Sequence, residues 1–292
     1  MDNLRGATLM VLAMLGFALE DMFIKFLADA VPVGQIILML GIGGGIAFGA
    51  VVRLQGRALF TQEMLCLPIV LRALGEMVGT IAFITAFVLT SLSSASAILQ
   101  ATPLAVTLGA ALFLGEAVGW RRWSAIMVGF CGVLLIIRPG LDSFEVLSLL
   151  AVLAVVMLAL RDLATRVAPR SISSMQLSFL GFIVLVPAGL ALMAASGTPF
   201  VGLNGTALLH FGGALTVGLF SYYALVAAVR VGEVSFVTPF RYARLLFALV
   251  VGILVFGETP DALTLAGAAI IVASGIYTVW RERRLGVARQ PA

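Results

Sequence analysis

The chain carries very little charge for its length. Only 11% of its 292 residues are charged, 62% are hydrophobic, and the mean hydropathy is +1.15. Soluble domains contain about 45–50% apolar residues. Because a water-soluble fold of this length cannot bury so much apolar side chain, the composition excludes a soluble enzyme or binding module and predicts a chain that lies in lipid.

Residues that carry chemistry are also scarce. The sequence has two cysteines, Cys66 and Cys131, and one histidine, His210, so it predicts neither a disulfide framework nor a metal site. It contains no Walker loop, no H-E-x-x-H motif and no G-x-S-x-G motif, which leaves ATP-driven and hydrolytic mechanisms without support. We therefore expect no cofactor, no bound metal and no enzymatic activity. The net charge of +4 is spread between apolar runs, so we expect no nucleic-acid partner.

Long apolar runs are abundant. A membrane-crossing helix needs about 20 mostly apolar residues, and short polar connections leave no room for a soluble domain. We predict an all-α membrane protein with ten transmembrane helices, at about residues 5–27, 33–52, 66–89, 95–114, 121–138, 146–165, 174–196, 206–229, 234–256 and 261–280.

The basic residues predict the orientation of these spans. They concentrate at the ends that are cytoplasmic if the N-terminus lies inside, whereas Lys25 and Arg138 fall at the opposite ends. The positive-inside rule then predicts a multi-pass protein of a bacterial-type inner membrane with both termini in the cytoplasm. Residues 28–30 (ADA) resemble a signal-peptide cleavage site, but Glu20, Asp21 and Lys25 interrupt the preceding segment, so we expect the first span to be retained.

The sequence contains an internal repeat. Residues 19–35 (LEDMFIKFLADAVPVGQ) align with residues 160–176 (LRDLATRVAPRSISSMQ), and Gly115-Glu116 aligns with Gly257-Glu258 at nearly the same offset. The repeat unit contains five spans, and because five is odd, the second copy must enter the membrane the opposite way up. We predict two inverted five-helix repeats at 1–140 and 141–292, a plan that recurs in secondary transporters.

Five spans written twice, a Gly-Glu pair closing the fourth span of each half, and FGETP before the last helix resemble the drug/metabolite transporter superfamily, in its ten-helix EamA-type branch. The resemblance implies a central cavity lined by spans 1, 3, 4, 6, 8 and 9. It also implies outer positions for spans 5 and 10. Members of this superfamily move amino acids, vitamins, nucleotide precursors and drugs, so the resemblance does not name a substrate.

Several charged residues fall inside the predicted spans. Arg241 and Arg244 are three residues apart in span 9 and share a face. A charge at the bilayer centre costs several kcal/mol, so such residues face protein or water, where a guanidinium can bind a carboxylate. We interpret seven residues as candidate substrate-binding positions: Arg72, Glu76, Gln100, Tyr222, Arg241, Tyr242 and Arg244.

The acidic residues suggest partners for these arginines. We expect Glu76, which lies at mid-depth, to meet Arg241 or Arg244 across the cavity. Arg72 and Glu76 could instead satisfy each other within one helix, and Asp21 could pair with Lys25. Glu20, Asp21 and Asp162 are candidate coupling or gating residues, since burial can make a carboxylate a proton carrier.

The first function hypothesis is a secondary transporter that moves an amino acid or a related anionic or zwitterionic metabolite by alternating access. The alternative is uptake of a vitamin-like aromatic compound such as riboflavin, which the resemblance includes. Protons are possible partners, facilitated diffusion is the other option, and a nearly symmetric scaffold does not set the direction. An integral-membrane enzyme acting on lipid intermediates and a non-transporting sensor are the other classes, but the sequence shows no polar catalytic cluster at one interface.

Overall fold

The computed structural model describes residues 2–115, 119–138, 145–169, 171–231 and 238–287. Within these ranges every regular element is helical and there is no strand. The all-α prediction is therefore confirmed. Glu116 and residues 234–237, which belong to the predicted repeat motif and to the ninth run, lie outside the described residues.

Twelve α-helices follow one another along the described chain. The first half contains α1 (Asp2–Ala28), α2 (Val33–Leu54), α3 (Leu67–Leu89), α4 (Leu92–Leu99), α5 (Thr102–Phe113) and α6 (Trp120–Ile137). The second half contains α7 (Ser148–Arg166), α8 (Ser174–Ile183), α9 (Leu185–Ser196), α10 (Gly205–Val231), α11 (Ala243–Phe256) and α12 (Ala262–Val287). Short 3₁₀ turns at Gln62–Leu65 and Thr238–Tyr242 precede α3 and α11.

The helices are long and apolar enough to cross a membrane many times. Seven segments of the described chain meet that standard by length and composition, two of them formed by the consecutive pairs α4–α5 and α8–α9. Two further apolar helices, Trp123–Ile137 and Ala262–Tyr277, are shorter. The chain is thus a multi-pass membrane protein, and large apolar side chains such as Ile46 and Leu254 are exposed on its outside.

Two of the predicted runs are broken where proline requires it. Proline lacks an N–H and its ring clashes with the carbonyl four residues earlier. Helix α4 ends at Leu99, four residues before Pro103, and α8 ends at Ile183, four residues before Pro187.

Helix pairing follows a regular pattern. Helix α1 packs along α10, α3 along α7, α2 along α8 and α9, α4 along α11, and α6 along α12. If the helices of the first half are exchanged with those of the second, the α1–α10 and α3–α7 pairs map onto each other and the other three pairs map onto themselves. The charged residues of α1, α3, α7 and α11 lie inside this arrangement, and α6 and α12 form a separate pair beside it.

Glycine permits close backbone contact within two of these pairs. A Cβ on Gly189 of α9 would lie 2.5 Å from the carbonyl oxygen of Gly34, in α2, and one on Gly132 of α6 would lie 2.8 Å from that of Gly267, in α12. A side chain at either position would force the backbones apart. Small residues at helix contacts are the usual means of close approach in membranes.

Two buried glutamines hold equivalent loops. Gln35 donates through Nε2 to the carbonyl oxygen of Val201 at 2.7 Å and accepts from its N–H at 2.8 Å. Gln176, its partner in the sequence repeat, donates through Nε2 to the carbonyl oxygen of Ala58 at 2.8 Å. The loop after α2 is therefore held by a glutamine of the second half, and the loop after α9 by a glutamine of the first half.

Candidate functional site

Asp21 and Arg244 form an ion pair inside the bundle. Arg244 Nη2 donates to Asp21 Oδ2 at 2.7 Å, joining α1 to the first turn of α11. The guanidinium carbon of Arg244 lies 5.2 Å from the ring centre of Phe17 and 5.3 Å from that of Phe83. Attraction between cation and aromatic face adds to the charge pairing, and Arg244 Nε has no hydrogen-bond partner among the described residues.

Glu20 lies beside this pair without a cation of its own. Its carboxylate approaches Gly218 of α10, where a Cβ would lie 2.5 Å from Glu20 Oε1. No hydrogen bond or ion pair reaches it from the described part of the chain. Glu20, Asp21 and Arg244, which we call the α1 cluster, therefore carry one net formal negative charge.

A second group of charges links α3 to α7. Arg161 Nη1 donates to Glu76 Oε1 at 3.2 Å, and its Nε donates to Asp162 Oδ1 at 2.9 Å. Arg241 and Arg72 lie close enough to interact electrostatically with the Asp162 carboxylate. These five residues, which we call the α3–α7 cluster, carry one net formal positive charge.

Arg72 is the least satisfied residue in the α3–α7 cluster. Its side chain is 4% exposed, yet its one ion contact within the described residues is to Glu76 Oε2 at 3.8 Å, and its Nε lacks a hydrogen-bond partner there. A buried guanidinium without partners is costly. In this conformation the buried Nε of Arg72 is therefore left without a hydrogen-bond partner among the described residues.

The two clusters lie at different depths. The α1 cluster touches Phe83 on α3, and the α3–α7 cluster uses Glu76 of the same helix. Seven residues separate these positions, which corresponds to about 10 Å along the helix axis. The side chains stay partly exposed inside the bundle, at 14% for Glu76, 22% for Arg161 and 27% for Asp162.

Lys25 and Glu258 close one end of this region, one turn beyond Asp21. Lys25 Nζ donates to Glu258 Oε1 at 2.9 Å and to the carbonyl oxygen of Thr90 at 3.1 Å. Glu258 also accepts from the backbone N–H of Leu92 at 2.7 Å and of Ser93 at 2.9 Å, and so caps α4. Burial would raise the pKa of Glu258, but these hydrogen bonds from Ser93, Lys25 and Leu92 outweigh burial and lower it.

A second ion pair lies at the same end, between α6 and α12. Arg138 bonds to Asp261, and together with Glu258 they border a groove of about 340 Å³. The hydrogen bond from Arg138 lowers the pKa of Asp261 to about 2. This pair touches neither charged cluster, so Asp261→Asn is a suitable control variant.

The expected pairings of Glu76 and Asp21 were wrong. Glu76 meets Arg161 and Arg72 rather than Arg241 or Arg244, because Arg244 lies at the depth of Phe83 and not of Glu76. Asp21 meets Arg244, and Lys25 meets Glu258. The within-helix alternative for Arg72 and Glu76 holds only at 3.8 Å.

Three other candidates take different positions. Tyr242 is 4% exposed, and its hydroxyl lies against Gly275 of α12 while staying within electrostatic range of Arg241. Tyr222 packs its ring against Phe48 and Phe182 while staying within electrostatic range of Arg161. Gln100 is buried at the break between α4 and α5.

Sequence reasoning missed Arg161 and Glu258 as central residues. Arg161 aligns with Glu20 in the repeat, and that correspondence was the available signal for its depth. Glu258 was recognised as a repeat motif, but its role as a cap of α4 depends on a contact between distant helices. Neither contact is local in sequence, so periodicity does not reveal it.

Comparisons with known proteins agree with the architecture. The profile of the EamA-like transporter family matches residues 4–138 and again residues 147–280. A solved crystal structure superposes with a TM-score of 0.60 over 96% of this chain and 98% of the other, at 17% sequence identity. That likeness concerns the fold.

Two similar proteins carry transporter names. The chain is 33% identical over 189 residues to a riboflavin transporter of Vibrio cholerae serotype O1, covering 64% of this chain and 63% of that protein. It is 28% identical over 195 residues to an S-adenosylmethionine uptake transporter of Rickettsia bellii, covering 66% and 65%. The match thus spans slightly less than two thirds of either relative.

Proposed function

Because the chain belongs to the EamA-like transporter family, we propose that it is a secondary transporter that moves a small organic metabolite across an inner membrane by alternating access. Membership and the named relatives make it a multi-pass transporter of small molecules and not an enzyme. What we propose beyond this is the two-repeat mechanism, the binding residues and the class of substrate.

We propose that the halves 1–140 and 141–292 are inverted repeats, with both termini in the cytoplasm. Three observations support this. The family profile matches each half separately, helix pairs map onto one another when the halves are exchanged, and Gln35 and Gln176 make equivalent contacts. Two similar halves with opposite insertion can exchange conformations at little energetic cost, which produces alternating access.

The observation that carries the transport proposal is the incomplete pairing of the two charged clusters. A purely structural set of buried charges would be neutral and fully bonded, since an unpaired buried charge is strongly destabilising. Among the described residues, Arg72 Nε and Arg244 Nε have no hydrogen-bond partner, Glu20 has no hydrogen bond or ion pair, and several cluster residues are partly exposed. Such groups fit a polar solute that binds and leaves.

The geometry favours an elongated metabolite with a charged or polar group and a planar ring. The α1 cluster carries one net negative formal charge and the α3–α7 cluster one net positive charge, and they lie about 10 Å apart in depth. Arg72 and Arg241 supply donors for a carboxylate, Glu20 can accept a cationic or hydrogen-bond-donating group, and Phe17 and Phe83 border the site. An amino-acid-related compound and a vitamin-like aromatic compound both meet this description, in keeping with the names of the two relatives.

The conformation with Lys25 bonded to Glu258 is, in this mechanism, closed towards the outside. That pair joins α1 to the α3–α4 and α11–α12 connections, so it must separate before the α1 cluster opens outwards. Substrate release on that side then requires Lys25 and Glu258 to regain hydration. The closed pair gives alternating access a defined outer barrier.

Counterflow into proteoliposomes tests the proposal. Liposomes containing the purified protein are loaded with unlabelled S-adenosylmethionine, riboflavin or an amino acid mixture, and uptake of the matching labelled compound is followed. We expect at least one compound to accumulate transiently above liposomes without protein. The Arg161→Gln variant should lose that signal, and the Asp261→Asn variant should keep it. Absence of exchange with every compound, from folded wild-type protein, contradicts the proposal.

A further inference from the structure

All three tryptophans of the chain lie at one end of the α6–α12 pair. Trp120 and Trp123 begin α6 and are 75% and 36% exposed, and Trp280 on α12 is 44% exposed. Tyr277 lies beside Trp280, with ring centres 6.0 Å apart. Tryptophan and tyrosine concentrate where the acyl chains meet the headgroups, so this end of the pair lies at the membrane surface.

A groove opens between the two helices at this end. It measures about 320 Å³ and is lined by Arg121, Ser124 and Val128 on α6 and by Ser274 and Tyr277 on α12. Further along the pair, Gly132 and Gly267 bring the two backbones into contact. The groove is lined by Arg121, Ser124 and Tyr277 at its mouth, and by Val128 and the buried Ser274 nearer that contact. A phospholipid headgroup followed by the start of an acyl chain fits this lining.

The mouth of the groove is positively charged. The guanidinium carbon of Arg121 lies 5.4 Å from the ring centre of Trp120, and no carboxylate pairs with Arg121 within the described residues. Arginine also occupies positions 281 and 284, seven and ten residues beyond Ser274. Clusters of basic residues at the membrane surface attract anionic lipids.

We propose that the groove between α6 and α12 binds one anionic phospholipid, with the phosphate at Arg121 and an acyl chain along Val128. Charge complementarity selects an anionic headgroup, and the exposed apolar residues Met127 and Val128 lead from the mouth into the lipid phase. Neither helix contributes a residue to the two charged clusters, so this site does not depend on the proposed transport function.

Thermal unfolding and native mass spectrometry of the detergent-purified protein test the site. The probes are phosphatidylglycerol, phosphatidylcholine and glycerol phosphate, which separate a charged lipid from a neutral lipid and from free phosphate. We expect phosphatidylglycerol to raise the unfolding temperature and to remain bound as one copy. The Arg121→Gln variant should bind it about fivefold more weakly, the factor expected for one basic residue at an anionic surface.

Two variants make the result specific. Arg121→Lys keeps the charge and should retain most of the binding, and Arg53→Gln removes an exposed arginine at the end of α2 and should change nothing. Equal responses to phosphatidylglycerol and phosphatidylcholine, or full binding by Arg121→Gln, overturn the proposal. A response to glycerol phosphate as large as that to the lipid makes this a free-phosphate site. Dimer formation through the groove without bound lipid assigns it to a second copy of the chain. Both results contradict the proposal.

Discussion

At the residue scale, the proposed binding of a metabolite depends on the charged side chains inside the bundle. Arg244 pairs with Asp21 through Nη2, whereas Arg72 Nε and Arg244 Nε lack a hydrogen-bond partner and Glu20 lacks an ion pair within the described part of the chain. The sequence identified these residues because charges are rare in its apolar runs. It could not pair them, since pairing depends on the depth and rotation of each helix relative to its neighbours, and depth alone led to the wrong partner for Glu76.

Replacement of Asp21 by asparagine should destabilise the protein. The change leaves Arg244, 18% exposed, without its counter-charge, and breaking a largely buried ion pair costs on the order of 3 kcal/mol. Thermal unfolding in detergent should show a markedly lower midpoint for Asp21→Asn. Asp261→Asn breaks an ion pair whose acid is half exposed and should have little effect. Similar decreases in the unfolding midpoint of both variants would mean that the Asp21–Arg244 pair stabilises the protein no more than the Arg138–Asp261 pair does.

Glu20 is the carboxylate best placed to couple transport to protons. Asp21 shares its helix, Arg244 faces it from α11 and already pairs with Asp21, and α10 presents Gly218 to it. We expect an inward pH gradient to stimulate uptake by the wild-type protein in liposomes, and Glu20→Gln to remove the stimulation while gradient-free exchange persists. Wild-type flux that ignores the gradient would exclude this role and favour facilitated diffusion.

At the element scale, apolar run length predicted the helices well, and proline explains where they break. The pair α4–α5 divides before Pro103. The pair α8–α9 divides before Pro187, within a run that reads as continuous because no polar residue marks the break. The apolar composition of a segment indicates that it lies in lipid. Whether the segment forms one continuous helix depends on single backbone hydrogen bonds, which composition does not reveal.

The Lys25–Glu258 pair should control access from the outside. Phe83 lies beside Arg244 and is 7% exposed, so a cysteine placed there should react slowly with an impermeant maleimide added outside. Glu258→Gln weakens the pair and uncaps α4, and it should speed this labelling several-fold. Asp261→Asn, at the same end of the bundle, should not. Equal labelling in the two variants would contradict a barrier at Glu258.

The same barrier should have a defined pH dependence. The pKa of Glu258 lies below its ordinary value of 4.5, so the carboxylate contributes fully to closure above that value. Closure is lost as the pH falls through the lowered pKa. Labelling of the Phe83→Cys variant, normalised to an exposed cysteine at Val201, should stay constant from neutral pH to about 5 and rise only under more acidic conditions. A rise near neutral pH would contradict this assignment.

Close contact between α2 and α9 should tolerate no side chain at Gly189. A Cβ there would lie 2.5 Å from the backbone of both Gly34 and Leu38, and overpacking of this kind costs about 1–3 kcal/mol. Unfolding measurements should therefore show a lower free energy of unfolding for Gly189→Ala than for the wild-type protein. Gly212→Ala is the matched control, because nothing lies within 4 Å of its Cβ and alanine favours a helix. Equal stability of the two variants would exclude the close contact.

At the scale of the whole molecule, the class of protein and its family could be predicted from the sequence. Apolar composition identified a membrane protein, and the duplicated motifs led to the same family as the two matched segments, 4–138 and 147–280. The arrangement of charges inside the bundle was not accessible in this way. Contacts such as Glu76–Arg161 and Lys25–Glu258 join residues far apart in sequence, and no local pattern encodes them.

In the proposed transport cycle, the charged residues, the outer ion pair and the two halves each have a separate role. Unsatisfied charges bind the solute, the Lys25–Glu258 pair closes the outer side, and two similar halves exchange inward-open and outward-open states. The exchange requires the halves to be inserted in opposite directions. If they are not, the symmetric helix pairing has no bearing on transport.

Sidedness of labelling tests that requirement most directly. Phe60 and Val201 lie in the two loops that Gln176 and Gln35 hold, and both are exposed. Each is replaced by cysteine in a chain carrying Cys66→Ser and Cys131→Ser, and an impermeant maleimide is applied to right-side-out and to inside-out vesicles. We predict that Val201→Cys reacts only in right-side-out vesicles and Phe60→Cys only in inside-out vesicles. Reaction of both cysteines from the same side would contradict the inverted repeat and the transport mechanism built on it.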